Sequence, residues 1–498
     1  VAKKIDKPHL AVAGPGAGKT HKMVDDIMTV LPALSPHQIL AAITFTNAAA
    51  DTIRERLQRR ARVGGNVFVG TTHTFVNRFV LSPCATLFEK LPDDRIFAPI
   101  DVHAKGRGAA IYAKNLIRKG IVPFDSMIPV ARDLLSNKEV RDRLGQRIAH
   151  LFVDEFQDTD IGVLEIIEHL RKNSTTRLYA VGDPEQFVMG FAYRGTPVPA
   201  FDKLPFFRFH KQAEAITLDE NHRSNGEIVT FTNQFRSDLQ QTPVKPFRNE
   251  PRVFFIAQCD LKSIVTEFQS RSQHVEIDGD NRIRLYLAEE NAIFNPVMGE
   301  FGMTYSTKHG HKTATVLGDS LSLIATALDR SQRRVCDEFK LSRLQWREAG
   351  VKVLQGALRS DFGISDLVAF VENRFAHTVS PSRSEILEEG LSHLKCRLAD
   401  GHESCHPEQC SSIRKAKGLE ADAVLAVAKG INELKKWLIT DRDVRNVDKQ
   451  DKCRMGYVAF TRPREMLCIA CLKPIDSGTE SLLSSLGVSI VAGPLAQT

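Results

Sequence analysis

The stretch that most constrains this chain is "HLAVAGPGAGKTHKMVDDIMTVL", residues 9 to 31. "HLAVAG" is a short apolar run, "GPGAGKT" is rich in glycine, and "HKMVDDIMTVL" carries apolar residues at helical spacing. Strand, loop and helix in that order are the setting of a P-loop, whose backbone N–H groups curl round phosphates at a helix N-terminus. Ala13, Gly14, Pro15, Gly16, Ala17 and Gly18 would form the cradle, its glycines allowing close approach. Lys19 would reach the β- and γ-phosphates, and the Thr20 hydroxyl would take Mg²⁺. The strict pattern has glycine where this chain has Ala13.

A second stretch, "LFVDEFQDTD" at residues 151 to 160, runs an apolar strand into a cluster of carboxylates. Burying that much negative charge is costly unless a cation compensates it. In P-loop ATPases a strand ending in Asp holds the magnesium from the side opposite the P-loop. Asp154 fits that role, and Glu155 is placed to act as the base that polarises the attacking water. ATP and Mg²⁺ are therefore the expected cofactors.

Composition adds bounds rather than a function. The 498 residues suggest about three domain-sized units. No run of about 18 apolar residues marks a transmembrane span, and the N-terminal apolar run is too short for a signal peptide. Nine cysteines, an odd number in a long chain, fit reduced thiols and a cytoplasmic setting better than a disulfide framework. A net charge of +7 permits nucleic-acid binding without requiring it.

Eight motifs follow one another along the chain: "AGPGAGKT", "TFTNAAADTIRERL", "GTTHTF", "VDEFQD", "VGDPEQ", "LDENHRS", "IRKAKGLEADAVL" and "YVAFTRPRE". In this order they resemble the motif set of the UvrD/Rep-like superfamily 1 helicases. The resemblance implies an α/β fold of two RecA-like P-loop domains, parallel sheets flanked by helices, with ATP between them and mostly helical insertions. It implies that Gln186 senses the γ-phosphate and links nucleotide state to the DNA groove. It also implies that Arg223 and Arg462 reach the phosphates from the second domain, where guanidinium donors suit the charge that builds on a transferring phosphoryl group. His222 stands where the family has an aromatic stacked on adenine, and Glu420 matches a position near the ribose.

The same resemblance implies a single-strand track of aromatic faces and phosphate donors. It would include Phe45, Thr46 and Asn47, then Thr72, His73 and Phe75, and then Phe191. The track departs from the family pattern at Ala48, Met189 and Ala192, with Arg194 as a substitute donor and Arg414 replacing a frequent His. Arg54, Arg56, Arg59, Arg60 and Arg62 read either as a solvated helix face or as phosphate contacts.

The motifs divide the chain into a first RecA-like domain at 1–80 and 146–215 and a second at 216–305 and 401–475. A helical insertion at 81–145, a reduced one at 306–400 and a C-terminal tail at 476–498 complete it. Cys396, His402, Cys405, His406 and Cys410 are zinc-type ligands at a spacing that matches no common site, and they read as unrelated thiols and imidazoles. The resemblance implies a 3′-to-5′ translocase or helicase on single-stranded DNA, or on DNA with single-stranded tails, and no membrane partner. The compact size and altered track also resemble the helicase-like subunit of Gabija-type anti-phage defence systems, which would sense DNA ends beside a nuclease partner.

Overall fold

The computed structural model describes residues 7–61, 63–84, 98–100, 108–118, 121–173, 175–188, 201–248, 250–275, 282–305, 316–330, 335–336, 338–359, 361–400, 407–448 and 451–491. These form two compact units: residues 1–303 with 410–498, and Thr304–Gln409.

In the first unit, six strands build one sheet: β1 (His9–Ala13), β2 (Ile39–Thr44), β3 (Val67–Thr71), β4 (Ile148–Val153), β5 (Arg177–Gly182) and β6 (Glu214–Leu218), in the order β3-β2-β4-β5-β1-β6. All five pairings are parallel. All six residues of β2 are buried, as expected of an inner strand covered on both faces. Leu10 pairs with Ala180, and Val153 with Ile43 and Ala180, so the loops after β1, β4 and β5 leave from one edge of the sheet. Carboxyl ends of parallel strands are where such sheets place their ligands.

A second sheet in the same unit uses β7 (Val253–Ile256), β8 (Arg284–Ala288), β9 (Glu408–Ser412), β10 (Ala421–Ala428), β11 (Pro463–Cys471) and β12 (Ser489–Val491). Within a seven-stranded sheet these six run in the order β9-β8-β10-β11-β7-β12, and β8, β10, β11, β7 and β12 pair in parallel. Every residue of β10 is buried. The helix Lys452–Phe460 lies fully inside the second core from Cys453 onward, against Trp437 and Phe235. The α/β class with parallel sheets flanked by helices is thus as expected. Residues 476–491 of the stretch set apart above as a tail belong with this sheet instead. Asp476 caps the helix Ser477–Ser485, and β12 then pairs Ile490 with Phe255.

Residues 109–147 form the helices Ala109–Arg118, Met127–Ser136 and Lys138–Arg147. Val130, Leu134 and Leu144 from this stretch share a single core with Leu151 and Leu178 of the first sheet. The second compact unit is helical, with Val316–Ala327, Arg343–Ala357, Ile364–Phe375 and Ser384–Asp400 packed round Ile324, Trp346, Leu367 and Leu387. Among the described residues, no helix is long and apolar enough to cross a membrane.

Candidate active site and nucleic-acid interface

The loop after β1 turns through two left-handed glycines, Gly16 at φ 69° and Gly18 at φ 72°, into the helix Lys19–Val30. That helix anchors itself through Met23, Val24 and Ile27. A Cβ on Gly16 would sit 2.6 Å from Asn221 Oδ1, and one on Gly14 would sit 2.3 Å from the Gln241 side chain. Both amides grip the same atom: Asn221 Nδ2 and Gln241 Nε2 each donate to the Pro15 carbonyl at 3.0 Å. The His222 N–H donates to Gly16 O at 3.0 Å. The P-loop is therefore held from outside by the segment that leads into the second sheet. Neither Asn221 nor Gln241 was among the expected site residues.

Lys19 Nζ donates to Gly14 O at 3.1 Å. Burial pulls its ammonium below the ordinary lysine range; Asp183 and Glu155 oppose that shift, while Arg223 and Arg462 add to it. An ammonium buried beside two guanidiniums calls for an anion, and a polyphosphate in the glycine cradle meets that demand. Facing it, burial and the neighbouring Glu155 charge push the Asp154 carboxyl up. Such a carboxyl calls for a cation, and an Asp oxygen with the Thr20 hydroxyl is a donor set that suits a hard ion such as Mg²⁺. Among the described residues, no cluster of three or more His, Cys, Asp or Glu side chains is placed to hold a metal.

Glu155 stands at φ 50°, ψ 43°, a left-handed conformation that costs a non-glycine residue about 1–3 kcal/mol. The backbone turn separates its carboxylate from that of Asp154, which accepts the Glu155 N–H at 2.9 Å. Burial raises Glu155, yet Lys417, Lys19 and the Gln157 amide outweigh it and hold the carboxylate low and charged. Lys417 lies 3.6 Å from Glu155 Oε2 and 2.5 Å from Asp158 Oδ2.

The second sheet supplies the remaining cations. Arg462 is fully buried, and its Nη2 donates to Gln186 Oε1 at 2.9 Å. Its Nε donates to Val458 O at 2.9 Å. Burial, with Arg223 alongside, pulls the guanidinium down to about 9, so it remains charged at neutral pH. Arg223 Nε donates to Glu420 Oε2 at 2.8 Å, and Arg464 Nη2 donates to Glu420 Oε1 at 2.6 Å. Glu420 thus holds Arg223 in place. The His222 ring is exposed, within 3.4 Å of Glu220.

The loop after β5 is tied to the second sheet by charge. Asp183 lies 3.5 Å from Arg236 Nη2, while Glu185 Oε2 accepts from Arg445 Nη2 at 2.7 Å and lies 3.6 Å from Arg454 Nε. Gln186 Nε2 donates to Asp183 Oδ2 at 2.7 Å.

A family profile described as an AAA domain matches residues 2–192, the part that carries the P-loop and the Asp154–Glu155 pair. The Gabija protein GajB of Bacillus cereus (strain VD045) is 27% identical over 287 residues, 54% of this chain and 55% of that protein. DNA helicase II of Escherichia coli (strain K12) is 26% identical over 277 residues, 45% of this chain and 37% of that protein. The Rep helicase of the same organism is 25% identical over 283 residues, 46% and 41% respectively. The chain is related to the UvrD-like superfamily 1 helicases. The matches span about half the length, or less, of these curated relatives.

The expected DNA track is only partly placed. Phe45 is 49% exposed and Asn47 is exposed beside it, free to meet a base or a phosphate. Thr46 is occupied otherwise, since its hydroxyl accepts the Ala49 N–H at 3.2 Å and caps the helix Asn47–Arg60. Thr72 and His73 are half-buried, and His73 stacks on Phe124 with centroids 4.0 Å apart. Phe75 corrects the expectation. It is 1% exposed and packs against Phe68 and Phe79 at 6.1 and 5.2 Å, because its short helix turns that side chain onto the sheet. Arg414 donates to the Val188 carbonyl and lies 3.9 Å from Asp451. Arg54 and Arg59 pair with Asp51 and Glu55 on their own helix, and Arg60 pairs with Asp25. Phe191 and Arg194 lie outside the described residues, as do Arg62, His402, Cys405, His406 and the Cys396 side chain. Cys410 is buried, its Sγ 3.5 Å from Met303 Sδ.

Proposed function

We propose that the protein is a DNA-dependent ATPase that steps along single-stranded DNA, 3′ to 5′, by hydrolysing ATP between its two parallel sheets. One observation carries the reading: Lys19, Arg223 and Arg462 gather round the P-loop, and Arg462 bonds to Gln186 across the seam. Bound Mg²⁺–ATP would supply the phosphoryl group and neutralise part of its charge. The P-loop N–H groups and Lys19 bind the phosphates, and Thr20 and Asp154 hold the cation. Glu155 accepts the proton of the attacking water, while Arg223 and Arg462 steady the charge that builds on the phosphoryl oxygens. His222 and Glu420 border the base and sugar. Because the two arginines come from the second sheet, turnover depends on closure of the seam. Phe45 and Asn47, with Phe191 and Arg194, contact the strand.

A second reading is a DNA-end sensor that hydrolyses nucleotide beside a nuclease partner in anti-phage defence. The match to the Gabija protein GajB, which covers a larger share of its relative than the helicase matches do, favours it.

The test is ATP hydrolysis with and without single-stranded DNA, for the wild type and for Glu155→Gln. Strong stimulation that is lost in the variant supports the motor, and unwinding of a tailed duplex then separates it from the sensor. Hydrolysis indifferent to DNA would remove the DNA-driven reading.

A further inference from the structure

Lys417 belongs to the "AKGLE" stretch, and unlike Glu420 it has no role in the reading above. Its backbone is fixed: Ile413 N donates to Ala288 O at 2.9 Å, Leu419 N donates to Ala416 O at 2.8 Å, and Gly418 turns at φ 82°. Ile413 and Ala416 are buried in the second core. This rigid turn delivers one ammonium across the seam to two carboxylates of the first sheet. The ammonium is shared unequally, with Asp158 Oδ2 at 2.5 Å and Glu155 Oε2 at 3.6 Å. Asp158 is itself buried, and its second oxygen has no hydrogen-bond partner among the described residues. The side chain therefore spends its bonding on Lys417. Glu155 Oε2 also accepts from the Gln157 amide.

A base that must take a proton from water needs a carboxylate oxygen that is not already closed by a cation. Were Lys417 to move onto Glu155 fully, that oxygen would be an ion-pair acceptor and a poor base. We propose that Asp158 and Lys417 form a positioning pair for hydrolysis, in which Asp158 draws Lys417 aside so that Glu155 stays open to water. Lys417 is the part contributed by the second sheet, so the seam sets how free the base is. The inference rests on Glu155 acting as that base.

The pair predicts a suppression that a simple structural bridge does not. Asp158→Asn removes the pull, lets Lys417 close on Glu155, and lowers kcat about tenfold with KM for ATP changed less than about twofold. Adding Lys417→Met to Asp158→Asn removes the intruding ammonium and restores kcat to within about threefold of wild type. Asp158→Ser, which also lacks the charge, behaves as Asp158→Asn does. Thermal unfolding of each variant accompanies the kinetics on the full chain. A double variant as slow as Asp158→Asn, or slower, would overturn the proposal, as would a loss that appears in KM or only as a fall in Tm. Glu155→Gln serves as the control. If it keeps wild-type turnover, both the base assignment and this proposal fall. If it is inactive and suppression is absent, the proposal alone falls.

Discussion

Arg462 Nη2 donates to Gln186 Oε1 at 2.9 Å, so a buried guanidinium beside the P-loop lysine also holds an amide of the loop after β5. Arg462→Ala removes both at once. We expect kcat to fall about a thousandfold while nucleotide affinity changes far less, since the charge it steadies grows only as the reaction proceeds. Steady-state hydrolysis paired with titration of a fluorescent nucleotide separates the two effects. Arg462→Lys keeps the charge but not the geometry and is expected to lose most of the rate as well. Equal losses of binding and turnover would make Arg462 a structural residue.

Gly16 has no room for a side chain. Its φ is 69°, and an added Cβ would meet Asn221 Oδ1 at 2.6 Å and Arg223 Cβ at 2.7 Å. Gly16→Ala is expected to cost about 1–3 kcal/mol from the left-handed backbone alone and to push the Asn221–Arg223 segment off the P-loop. Nucleotide binding should weaken sharply. Gly65, with nothing within 4 Å of a built Cβ, is the control; Gly65→Ala should leave binding alone. Isothermal titration on both variants gives the comparison, and wild-type affinity in Gly16→Ala would sink the idea.

Phe75 and Phe45 should respond in opposite ways. Phe75→Ala opens a hole between Phe68 and Phe79 and is expected to cost about 3–5 kcal/mol in denaturant unfolding. Phe45→Ala removes an exposed ring, so stability should move by less than about 0.5 kcal/mol. If a base stacks there, single-strand affinity should drop by about 1–3 kcal/mol in fluorescence anisotropy. Unchanged affinity in Phe45→Ala would take that residue out of the track.

These contrasts mark what the sequence makes legible. Lys19, Asp154, Glu155, Gln186, Arg223 and Arg462 each lie in a short contiguous motif whose chemistry is local, and the fold brings Lys19 into the field of Glu155, Arg223 and Arg462, with Arg462 bonded to Gln186. Partnerships across the chain are another matter. Lys417 and Asp158 are 259 residues apart, and Arg445 and Glu185 are 260 apart. No periodicity connects such pairs, because their meeting depends on how the second sheet docks against the first. Gln241 looks like an ordinary turn residue until its amide is seen on the Pro15 carbonyl. Phe75 misleads for the reverse reason: a motif aromatic reads alike whether it faces solvent or core. The last strand, "SIV", is too short to announce itself and forms because the open edge of Val253–Ile256 pairs with it.

Glu420 gives a pH dependence. Burial would raise its carboxyl, but Arg223 and Arg464 outweigh that and hold it at about 2. A carboxyl held below its unfolded value stabilises the fold above that unfolded value, about 4.3, and loses the contribution as pH falls toward 2. The carboxylate is 41% exposed, so solvent screening leaves about 1 kcal/mol. Glu420→Gln should therefore unfold at lower temperature than wild type at pH 7, with the gap narrowing below about pH 4. A gap that stays constant down to pH 2.5 would point to lost packing instead of lost charge.

The contact of Glu185 with Arg445 and Arg454, and of Asp183 with Arg236, has a consequence for how the two sheets part. Ions surrender hydration when such a joint shuts and regain it when the joint opens, which offsets much of their mutual attraction. An aliphatic joint of the same size would instead expose oily surface on opening and favour sticking to other chains. This joint can keep its register while shut, yet release into water without leaving an adhesive face behind.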